Sequence, residues 1–462
     1  MAGCGRICGM RTAWRLWHGH GVARHHGHTK TEREANTEAD TAAGIERQGE
    51  HVETKGAGRS LAWLLATWVI TRAVLLMFVF QVFLFPGPDV TTDVSVIYRG
   101  WYEVLRQGTF PLDDVTWQYP PAAALPVLSP MALPFLSYAH AFFMLAFLAD
   151  AVVLGLLLYP GRRSGRSLRG AWVWVAGAPL LGPTVYARYD VMVTAVAVAA
   201  LLAGTRHPRV MGALTAFGAL LKVWPVLLLA GAVRRRAWGA AAVTAAGLAA
   251  LFSVSMPGAF AFLTFQRNRG TEVESLGALV FHVGRHFGWH GQVLLNYGSI
   301  EFLGPHVDQV SAAALALTGA AFGWLLLWRL RAIRRAPHTL AEAAFTAVLL
   351  FTVTSRVLSP QYLVWLIGLA AVCLSYRASR MGAPALMVVA ASFVTVLEFP
   401  LGFLHVVMSD RYGVLLLVVR NGLLVAAAVT AARRLWRSTV TPVPPAPLPP
   451  EPARRRKTPV SS

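Results

Sequence analysis

The chain has 462 residues, of which 55% are hydrophobic and only 14% are charged. Soluble domains carry about 25% charged residues. Apolar windows of roughly 17–25 residues, each long enough to cross a hydrocarbon core about 30 Å thick, recur along most of this sequence. The composition therefore excludes a soluble protein, and the continuous apolar runs argue against a membrane β-barrel, whose strands alternate. We predict an all-α polytopic membrane protein.

The formal net charge of +20 comes mainly from arginine clusters just outside the apolar runs. Anionic lipid and the positive-inside bias account for such clusters, so we expect membrane lipid and no nucleic acid as a partner. Cys4, Cys8 and Cys373 form neither a paired framework nor a ligand cluster, so no disulfide, metal site or cofactor is predicted. The lysine-poor, alanine-rich composition is typical of a GC-rich bacterial genome, which indicates the bacterial plasma membrane.

In chain order, residues 1–60 lack periodicity and are predicted to be a disordered, basic cytoplasmic tail without a cleavable signal. Residues 61–433 form the predicted transmembrane catalytic domain, and the proline-rich, basic residues 434–462 form a second cytoplasmic tail. About twelve membrane spans are predicted, near 61–85, 120–136, 139–159, 171–186, 188–204, 211–231, 237–256, 310–330, 338–354, 361–376, 382–402 and 412–433.

Arginine clusters set the predicted orientation. Those at 234–236, 329–335, 377–380 and 433–437 belong in the cytoplasm with the N-terminal tail. The interval 86–119 and the long loop 257–309 then face outward. With this count, the four arginines of loop 161–169 also fall outside, against the same rule. They move inside only if one helix within 120–231 is re-entrant or wrongly divided.

The interval between Phe85 and Tyr119 is the most informative part of the sequence. It carries five of the chain's 22 acidic residues in a protein that is strongly basic overall. A connection between two spans can be far shorter than this, so we interpret the interval as carrying chemistry at the membrane surface. Its acids are Asp89, Asp93, Glu103, Asp113 and Asp114.

Ionisable side chains within apolar runs are costly, by roughly 2.5–3.5 kcal/mol at a helix centre, and therefore suggest function. Lys222 either snorkels to the interface or binds a lipid phosphate. Arg188 and Asp190 are either an interfacial cap or cavity residues. In the second case Arg188 joins Lys222 at the phosphate, and Asp190 orients the phosphate or a sugar hydroxyl. For the remaining embedded charges, Arg72, Asp150 and Glu398, structural pairing is the default expectation.

Two polar segments of the predicted outer face allow two readings each. In S-R-V-L-S-P-Q-Y-L-V-W, the side chains of Gln361 and Tyr362 suit either an ordinary helix start or a sugar-binding surface. In the loop 257–309, Arg269 and Glu274 lie either on amphipathic helices at the membrane surface or in the walls of a binding site.

Six segments together resemble glycosyltransferase family 87, over roughly residues 60–430. They are D-V-S-V-I-Y-R-G-W-Y-E-V-L-R-Q-G-T-F-P, W-Q-Y-P-P, R-Y-D at 188–190, L-K-V-W-P at 221–225, R-G-T-E-V-E-S-L at 269–276 and S-P-Q-Y-L-V-W at 359–365. The order and spacing of these segments carry the resemblance, since no single one is specific. The sequence departs from the family at R-Y-D, where many relatives have a Gly-Gln-Asn turn, and this leaves the acceptor and the exact sugar open.

The resemblance implies a GT-C-type bundle of about twelve transmembrane helices with a large first extracytoplasmic loop. It implies that Asp93 is the catalytic acid residue of that loop, followed by Tyr98, Gly108 and Pro111 of the family pattern. It further implies a polyprenyl-phosphate-linked sugar as donor, with mannose first and arabinose second, and an envelope glycolipid or glycan as acceptor. Residues predicted to bind substrate are Tyr98, Tyr119, Asp190, Arg269, Glu274, Gln361 and Tyr362.

In the predicted mechanism, Lys222 and Arg188 stabilise the leaving phosphate while Asp93 accepts the proton of the attacking hydroxyl, with inversion at the anomeric carbon. Asp93 and Lys222 are therefore expected in one pocket that opens away from the cytosol. A lipid-linked glycan transporter is the alternative, although the sequence has no clear internal repeat. A scaffold subunit of an envelope complex is a third reading.

Overall fold

The computed structural model describes residues 60–161, 165–267 and 269–441. Most of both predicted tails lies outside these residues. The described chain is predominantly helical, as predicted. Its helices are α1 (Ser60–Val79), α2 (Arg99–Leu105), α3 (Ala124–Leu128), α4 (Tyr138–Gly161), α5 (Arg169–Gly177), α6 (Asp190–Ala203), α7 (Pro208–Leu221), α8 (Arg235–Ser255), α9 (Phe262–Arg267), α10 (Leu279–Arg285), α11 (Val307–Arg331), α12 (Thr339–Thr354), α13 (Tyr362–Leu374), α14 (Gly382–Val396), α15 (Phe403–Met408) and α16 (Arg411–Thr439).

Six described helices are long and apolar enough to cross a membrane: α1, α4, α8, α11, α14 with its continuation to Leu401, and α16. Shorter apolar helices, including α6, α7, α12 and α13, pack between them. This arrangement confirms the predicted all-α polytopic class, although two of the twelve predicted spans differ from the structure. Because α16 continues to Thr439, the helical domain runs past its predicted end at residue 433.

One end of the bundle gathers the arginine clusters, and we call it the Arg-rich end. Arg329 on α11 donates to the carbonyls of Ala230 and Ala232 at 2.7 Å. The amide of Arg334 donates to Thr439 at the end of α16. Arg434 donates to the carbonyl of Arg380. We call the opposite end, where the segments 80–119 and 256–306 lie, the loop end.

The predicted span 120–136 is wrong, because this segment begins and ends at the loop end. Its helical part, Pro121–Ala132, consists of two 3₁₀ turns flanking α3. At 1.5–2.0 Å per residue it is roughly 20 Å long, too short for a bilayer core. Prolines at 120, 121, 126, 130 and 134 explain its broken geometry, since proline removes a donor and clashes within a helix. The following helix α4 starts at Tyr138, whose ring lies 5.0 Å from that of Tyr102 in the first loop.

The predicted span 211–231 is also wrong, because it is a helical hairpin. Helix α7 ends at Leu221, Lys222 is extended, and a 3₁₀ helix, Trp224–Gly231, turns back toward the Arg-rich end. Gly218 permits the close return, since a Cβ there would meet Pro225 at 3.1 Å. Lys222 therefore occupies the turn of the hairpin at the loop end rather than the interior of a helix.

These two corrections settle the position of the loop at 161–169. With 120–136 removed, α4 runs from the loop end to the Arg-rich end. Described residues of this loop then pair with the segment after α13. Ser167 donates to the carbonyl of Ser375 and the amide of Arg377 to that of Gly165, both within 3.1 Å. The Arg166 guanidinium lies 3.5 Å from the centroid of the Tyr376 ring. The loop thus belongs with the arginine clusters, as the charge rule requires.

A small antiparallel sheet at the loop end was not predicted. Its strands are β1 (Thr271–Glu272), β2 (Gln292–Asn296) and β3 (Ser299–Leu303), in the order β1-β3-β2. Strands β2 and β3 form a hairpin in which Gln292 faces Leu303 and Asn296 faces Ser299. Positive φ angles at Tyr297 and Gly298 are those of the tight two-residue turn that hairpins favour. The loop 257–309 is therefore a packed module.

The embedded charges Arg72, Asp150 and Glu398 are paired, as predicted. Arg72 and Asp150 are fully buried, with Nε and Oδ2 at 2.7 Å. Asp150 also accepts hydrogen bonds from Trp174 Nε1 and Tyr186 Oη, each at 2.6 Å. A charge taken out of water needs such a complete set of partners. Arg72, Asp150 and Trp174 thus hold α1, α4 and α5 together, whereas Glu398 pairs with Arg420 of α16.

His282 on α10 connects the sheet module to the start of α16 and gives the module a pH dependence. Its Nε2 donates to the Val273 carbonyl, so Nδ1 accepts from the Ser409 hydroxyl, both at 2.8 Å. Burial lowers the pKa of His282 to about 4. In the unfolded chain the same imidazole takes up its proton near pH 6.5. The contribution of His282 to the free energy of unfolding is therefore fully present above pH 6.5 and is lost as the pH falls to about 4. The loss amounts to roughly 3 kcal/mol.

We therefore expect the melting temperature of the purified protein to drop between pH 7.5 and pH 4.5, and to drop less in His282→Gln. Tryptophan fluorescence follows the transition, because Trp289 packs against Phe281 in this module. Equal pH dependence in both proteins would contradict the role given to His282.

Candidate active site

The acids of the first loop have different roles in the structure. Some stabilise the loop itself, and one, Asp93, forms an ion pair with a buried cation. Asp89 accepts from the amide and hydroxyl of Thr91, and Asp114 accepts in the same way from Thr116. Both carboxylates stabilise turns. Glu103 forms an exposed pair with Arg106.

Asp93 begins a π-helical turn, Asp93–Tyr98, and its Oδ2 lies 2.5 Å from Arg188 Nη2. The Asp93 side chain is 35% exposed and that of Arg188 is 12% exposed. Arg188 lies in the turn that precedes α6 and also donates to the carbonyls of Val90 and Ala187. One carboxylate of the acidic interval is therefore held, still accessible, by a largely buried guanidinium.

Lys222 and Asp190 form a second ion pair beside the first. Lys222 Nζ lies 2.7 Å from Asp190 Oδ1, which also accepts from Trp365 Nε1 at 2.6 Å. Among the described residues, the buried Oδ2 of Asp190 has no partner. Asp190 is the first residue of α6 and Lys222 the turn of the α7 hairpin, so the fold brings together two residues that are 32 positions apart.

Four aromatic rings surround the Lys222 ammonium. Nζ lies 5.0 Å from the ring centroid of Tyr189, 5.2 Å from Trp365, 5.4 Å from Tyr119 and 5.8 Å from Tyr362. All are within the range in which a cation is attracted by the face of an aromatic ring. The ammonium is therefore held in place without being surrounded by carboxylates.

Lys222 faces a cavity of about 360 Å³ at the loop end. Three of the described residues that line it are cationic, Lys222, Arg269 and Arg356, and none is acidic. Asp190 and Glu301 lie behind the wall, where each pairs with one of these cations. The cavity therefore presents positive charge between aromatic surfaces. Its aromatic lining comprises Tyr119, Trp224, Phe262, Tyr297, Phe351, Tyr362 and Trp365.

The unpredicted sheet positions Arg269. Its Nε lies 3.2 Å from Oε1 of Glu301, a fully buried residue of β3, and its Nη2 donates to Ser299. Glu301 also accepts from the amide of Gly270 at 2.9 Å and from Asn296 at 3.0 Å. Glu301 was not among the residues predicted from the sequence. The sequence N-Y-G-S between two apolar segments was the available signal, because a tight hairpin there places Glu301 opposite the 269–272 segment.

The predicted site residues fall into two groups. Lys222, Tyr119, Arg269, Gln361 and Tyr362 line the cavity. The rest, Asp93, Arg188, Asp190, Tyr98 and Glu274, do not.

Asp93 and Lys222 lie at the same end of the bundle, but Asp93 is not among the described residues that line the Lys222 cavity. Arg188 interacts electrostatically with both Asp93 and Lys222. Tyr119, whose ring contacts the ammonium, interacts electrostatically with Asp93. Burial raises the pKa of Tyr98 and Tyr119 above its usual value, so both phenols stay protonated and can donate hydrogen bonds. These side chains form the boundary between the Asp93 side and the Lys222 side of the site.

Glu274 lies in a buried polar cluster instead of the cavity wall. Its backbone carbonyl accepts from Arg420 Nη2 at 2.7 Å, and Arg420 in turn pairs with Glu398 at 2.9 Å. Burial, with Glu398 nearby, raises the pKa of Glu274 well above its usual value. Burial likewise raises the pKa of Glu272, which accepts from the Leu358 amide and the Ser359 hydroxyl. Glu272 thereby ties the sheet to the 355–361 segment of the cavity.

With this geometry established, the comparison with known proteins is decisive about the family. A model of glycosyltransferase family 87 matches residues 117–360, which is more than half of the chain. The chain belongs to glycosyltransferase family 87. The matched range includes Tyr119, Asp190, Lys222 and Arg269, but begins after Asp93. This family 87 protein is accordingly a membrane glycosyltransferase.

The crystal structure of ArnT from Cupriavidus metallidurans, bound to undecaprenyl phosphate, matches with 16% sequence identity and a TM-score of 0.41. The match covers 82% of this chain and 78% of that one. No curated protein matches the family 87 chain.

Proposed function

We propose that this enzyme transfers a hexose from a polyprenyl-phosphate donor to a hydroxyl of an envelope glycolipid or glycan, on the extracytoplasmic face and with inversion. The cavity carries the proposal, because three cations and no carboxylate line it between aromatic walls. A phosphate requires the cations, and a sugar ring with a prenyl chain requires the aromatic surface. Mannose is the proposed sugar, on the resemblance, with arabinose second.

In this proposal the donor phosphate binds Lys222 together with Arg269 and Arg356. Lys222 is a compact charge held by Asp190 and four rings, and it needs little rearrangement as negative charge builds on the departing phosphate. Arg188, predicted as the second phosphate ligand, is already bound by Asp93 and two carbonyls. We assign Arg188 chiefly to orienting Asp93.

The sugar ring would stack between Tyr119 and Tyr362, with the Gln361 amide available to its hydroxyls. One buried carboxylate oxygen of Asp190 has no partner in the described part of the chain, so it would accept a sugar hydroxyl if the ring reaches past Lys222. Tyr98 stacks on Trp101 behind Asp93 and would support the acceptor side. Glu274 acts only indirectly, through the buried cluster beneath the sheet.

Asp93 is the proposed general base. As the acceptor oxygen bonds to the anomeric carbon, the bond from that carbon to the phosphate oxygen breaks. The polyprenyl phosphate leaves with the electron pair, and the hydroxyl proton passes to Asp93. Attack opposite the leaving group inverts the configuration. The acceptor would approach from the Asp93 side of Tyr119 and the donor from the Lys222 side. A movement of the side chains between them would then bring the acceptor hydroxyl next to the anomeric carbon of the donor.

The proposed side of the membrane rests on the positive-inside rule, which assigns the Arg-rich end to the cytoplasm and the cavity to the opposite face. Single cysteines at Ser167 and Asp113, in a variant without native cysteines, test it in intact cells. We expect an impermeant maleimide to label the cysteine at 113 and not the one at 167. Labelling with the opposite pattern would reverse the orientation.

The direct test uses the purified enzyme in lipid nanodiscs with synthetic prenyl-phosphate mannose, prenyl-phosphate arabinose and an envelope lipid extract. Mass spectrometry should find an acceptor heavier by one sugar and a free prenyl phosphate. In proteoliposomes, a glycolipid that changes leaflet without changing mass would instead establish a transporter. Lack of both activities would favour a scaffold.

Glu301→Gln tests the positioning of Arg269 and should raise the KM for the donor about 10–100-fold. A hydrogen bond to a charged group contributes about 1.5–3 kcal/mol, and glutamine cannot hold the guanidinium as carboxylate does. We expect kcat to change far less, since Arg269 remains present. Glu103→Gln serves as the control, because it removes an exposed ion pair with Arg106 in the interval 86–119. An unchanged KM would remove Arg269 from donor binding.

A further inference from the structure

A groove on the outer surface at the Arg-rich end is separate from the active site. It measures about 350 Å³ and lies among α11, α12 and the last turns of α16. Trp324 and Trp436 line it and contact each other, with ring centroids 6.1 Å apart. Leu350 and Val429 form its apolar floor, and Arg433 and Arg437 stand at its edge. The active-site cavity shares none of these lining residues; it includes Phe351 near the C-terminal end of α12 and the segment that follows that helix.

The groove follows one face of α16. Val429, Arg433 and Arg437 recur every four residues and therefore form one stripe. From Val429 to Arg437 the stripe is about 12 Å long at 1.5 Å per residue. It runs from the basic end of the bundle toward its apolar middle, so charge lies at one end of the groove and hydrocarbon at the other.

The two groove arginines differ from their neighbours. Arg329 and Arg434 are engaged by backbone carbonyls. Arg433 and Arg437 are exposed, and neither forms an ion pair or hydrogen bond with any part of the chain that the structure describes. The dipole of α16, which ends at Thr439, favours Arg437 in the last turn. Arg433 lies one turn earlier and lacks that stabilisation.

We propose that this groove binds one anionic phospholipid of the leaflet at the Arg-rich end. Two guanidiniums at adjacent turns match the phosphate oxygens of one headgroup, which accept paired N–H donors. The indole rings suit the depth of the membrane interface, and the floor suits an acyl chain. A soluble phosphate would gain nothing from this floor. The bound lipid would fix the ends of α11 and α16 together, away from the reacting groups.

Native mass spectrometry of delipidated enzyme, titrated with phosphatidylglycerol, tests the proposal. We expect Arg433→Gln/Arg437→Gln to bind this lipid about thirty-fold more weakly, given about 1 kcal/mol per arginine beside anionic lipid. The matched control Arg235→Gln/Arg236→Gln removes two exposed arginines at the same end on α8 and should change binding less than two-fold. Val429→Trp, which fills the floor and keeps both charges, should also weaken binding.

Three outcomes would overturn this site. An equal loss of lipid affinity in Arg235→Gln/Arg236→Gln would show that only the general positive charge of this end attracts the lipid. Equal binding of phosphatidylcholine by the wild-type enzyme would show that headgroup charge is not recognised. Normal binding by Val429→Trp would place the lipid elsewhere. Melting curves of all variants show whether each is folded, and Val429, being 41% exposed, tolerates a larger side chain.

Discussion

Replacing Asp93 with asparagine should lower the rate of sugar transfer about 10²–10⁴-fold, the range typical of a lost general base. Asparagine preserves the shape of the side chain and still accepts a hydrogen bond from Arg188, but it cannot take the acceptor proton. The pair is partly exposed, so the cost in stability should be small. Single-turnover rates with synthetic prenyl-phosphate sugar at saturating donor isolate the chemical step.

Asp113→Asn is the matched control, because Asp113 is an exposed carboxylate of the same loop. It should transfer sugar at the wild-type rate. If Asp93→Asn, with an unchanged melting temperature, does the same, then Asp93 is not the base. Asp89 and Asp114 make poorer controls, since both carboxylates accept backbone hydrogen bonds that their loop requires.

The second large effect is expected at Lys222, where structural and chemical roles must be separated. Lys222→Gln leaves the buried Asp190 carboxylate without its cation, which typically costs about 3–5 kcal/mol. Loss of activity in this single variant would therefore be ambiguous. Lys222→Gln/Asp190→Asn removes both charges and should restore much of the melting temperature.

Transfer by the double variant should nevertheless remain about 10²–10³-fold below wild type, the usual loss when one group that stabilises a developing oxyanion is removed. The kcat/KM for the donor is the quantity to compare. Recovery of transfer together with stability would mean that Lys222 only neutralises Asp190. In that case the phosphate-binding proposal would be wrong.

Several site residues were predictable because the charge of each is unusual for its sequence context. Lys222 stands in an apolar segment, and Asp93 lies in an acidic interval of a basic protein. Their local chemistry is unusual enough to read without a fold. Glu301 itself is chemically unremarkable as a glutamate in a polar loop, and only the turn at N-Y-G-S indicates the hairpin that buries it behind Arg269.

The topology was predicted less well, for a physical reason. Hydropathy reports that a segment is apolar, but not whether it passes through the bundle or turns back within it. The segments 120–136 and 211–231 are both apolar, yet one stays at the loop end and the other reverses at Lys222. Prolines determine the path of the first segment, and the close approach of Gly218 to Pro225 permits the reversal of the second. The four arginines of loop 161–169, which the predicted topology placed outside, had already indicated that a span was wrongly assigned.

By itself, the sequence determined the membrane class, the helical architecture and the segments that carry unusual charge, since each depends on composition over short stretches. Only the tertiary structure decided which charges meet. Arg72 pairs with Asp150, as expected for an embedded charge, whereas Arg188, predicted as a phosphate ligand, pairs with Asp93. A buried charge is stable only beside its partner. Packing between residues far apart in the chain brings that partner close, and no local sequence pattern records such packing.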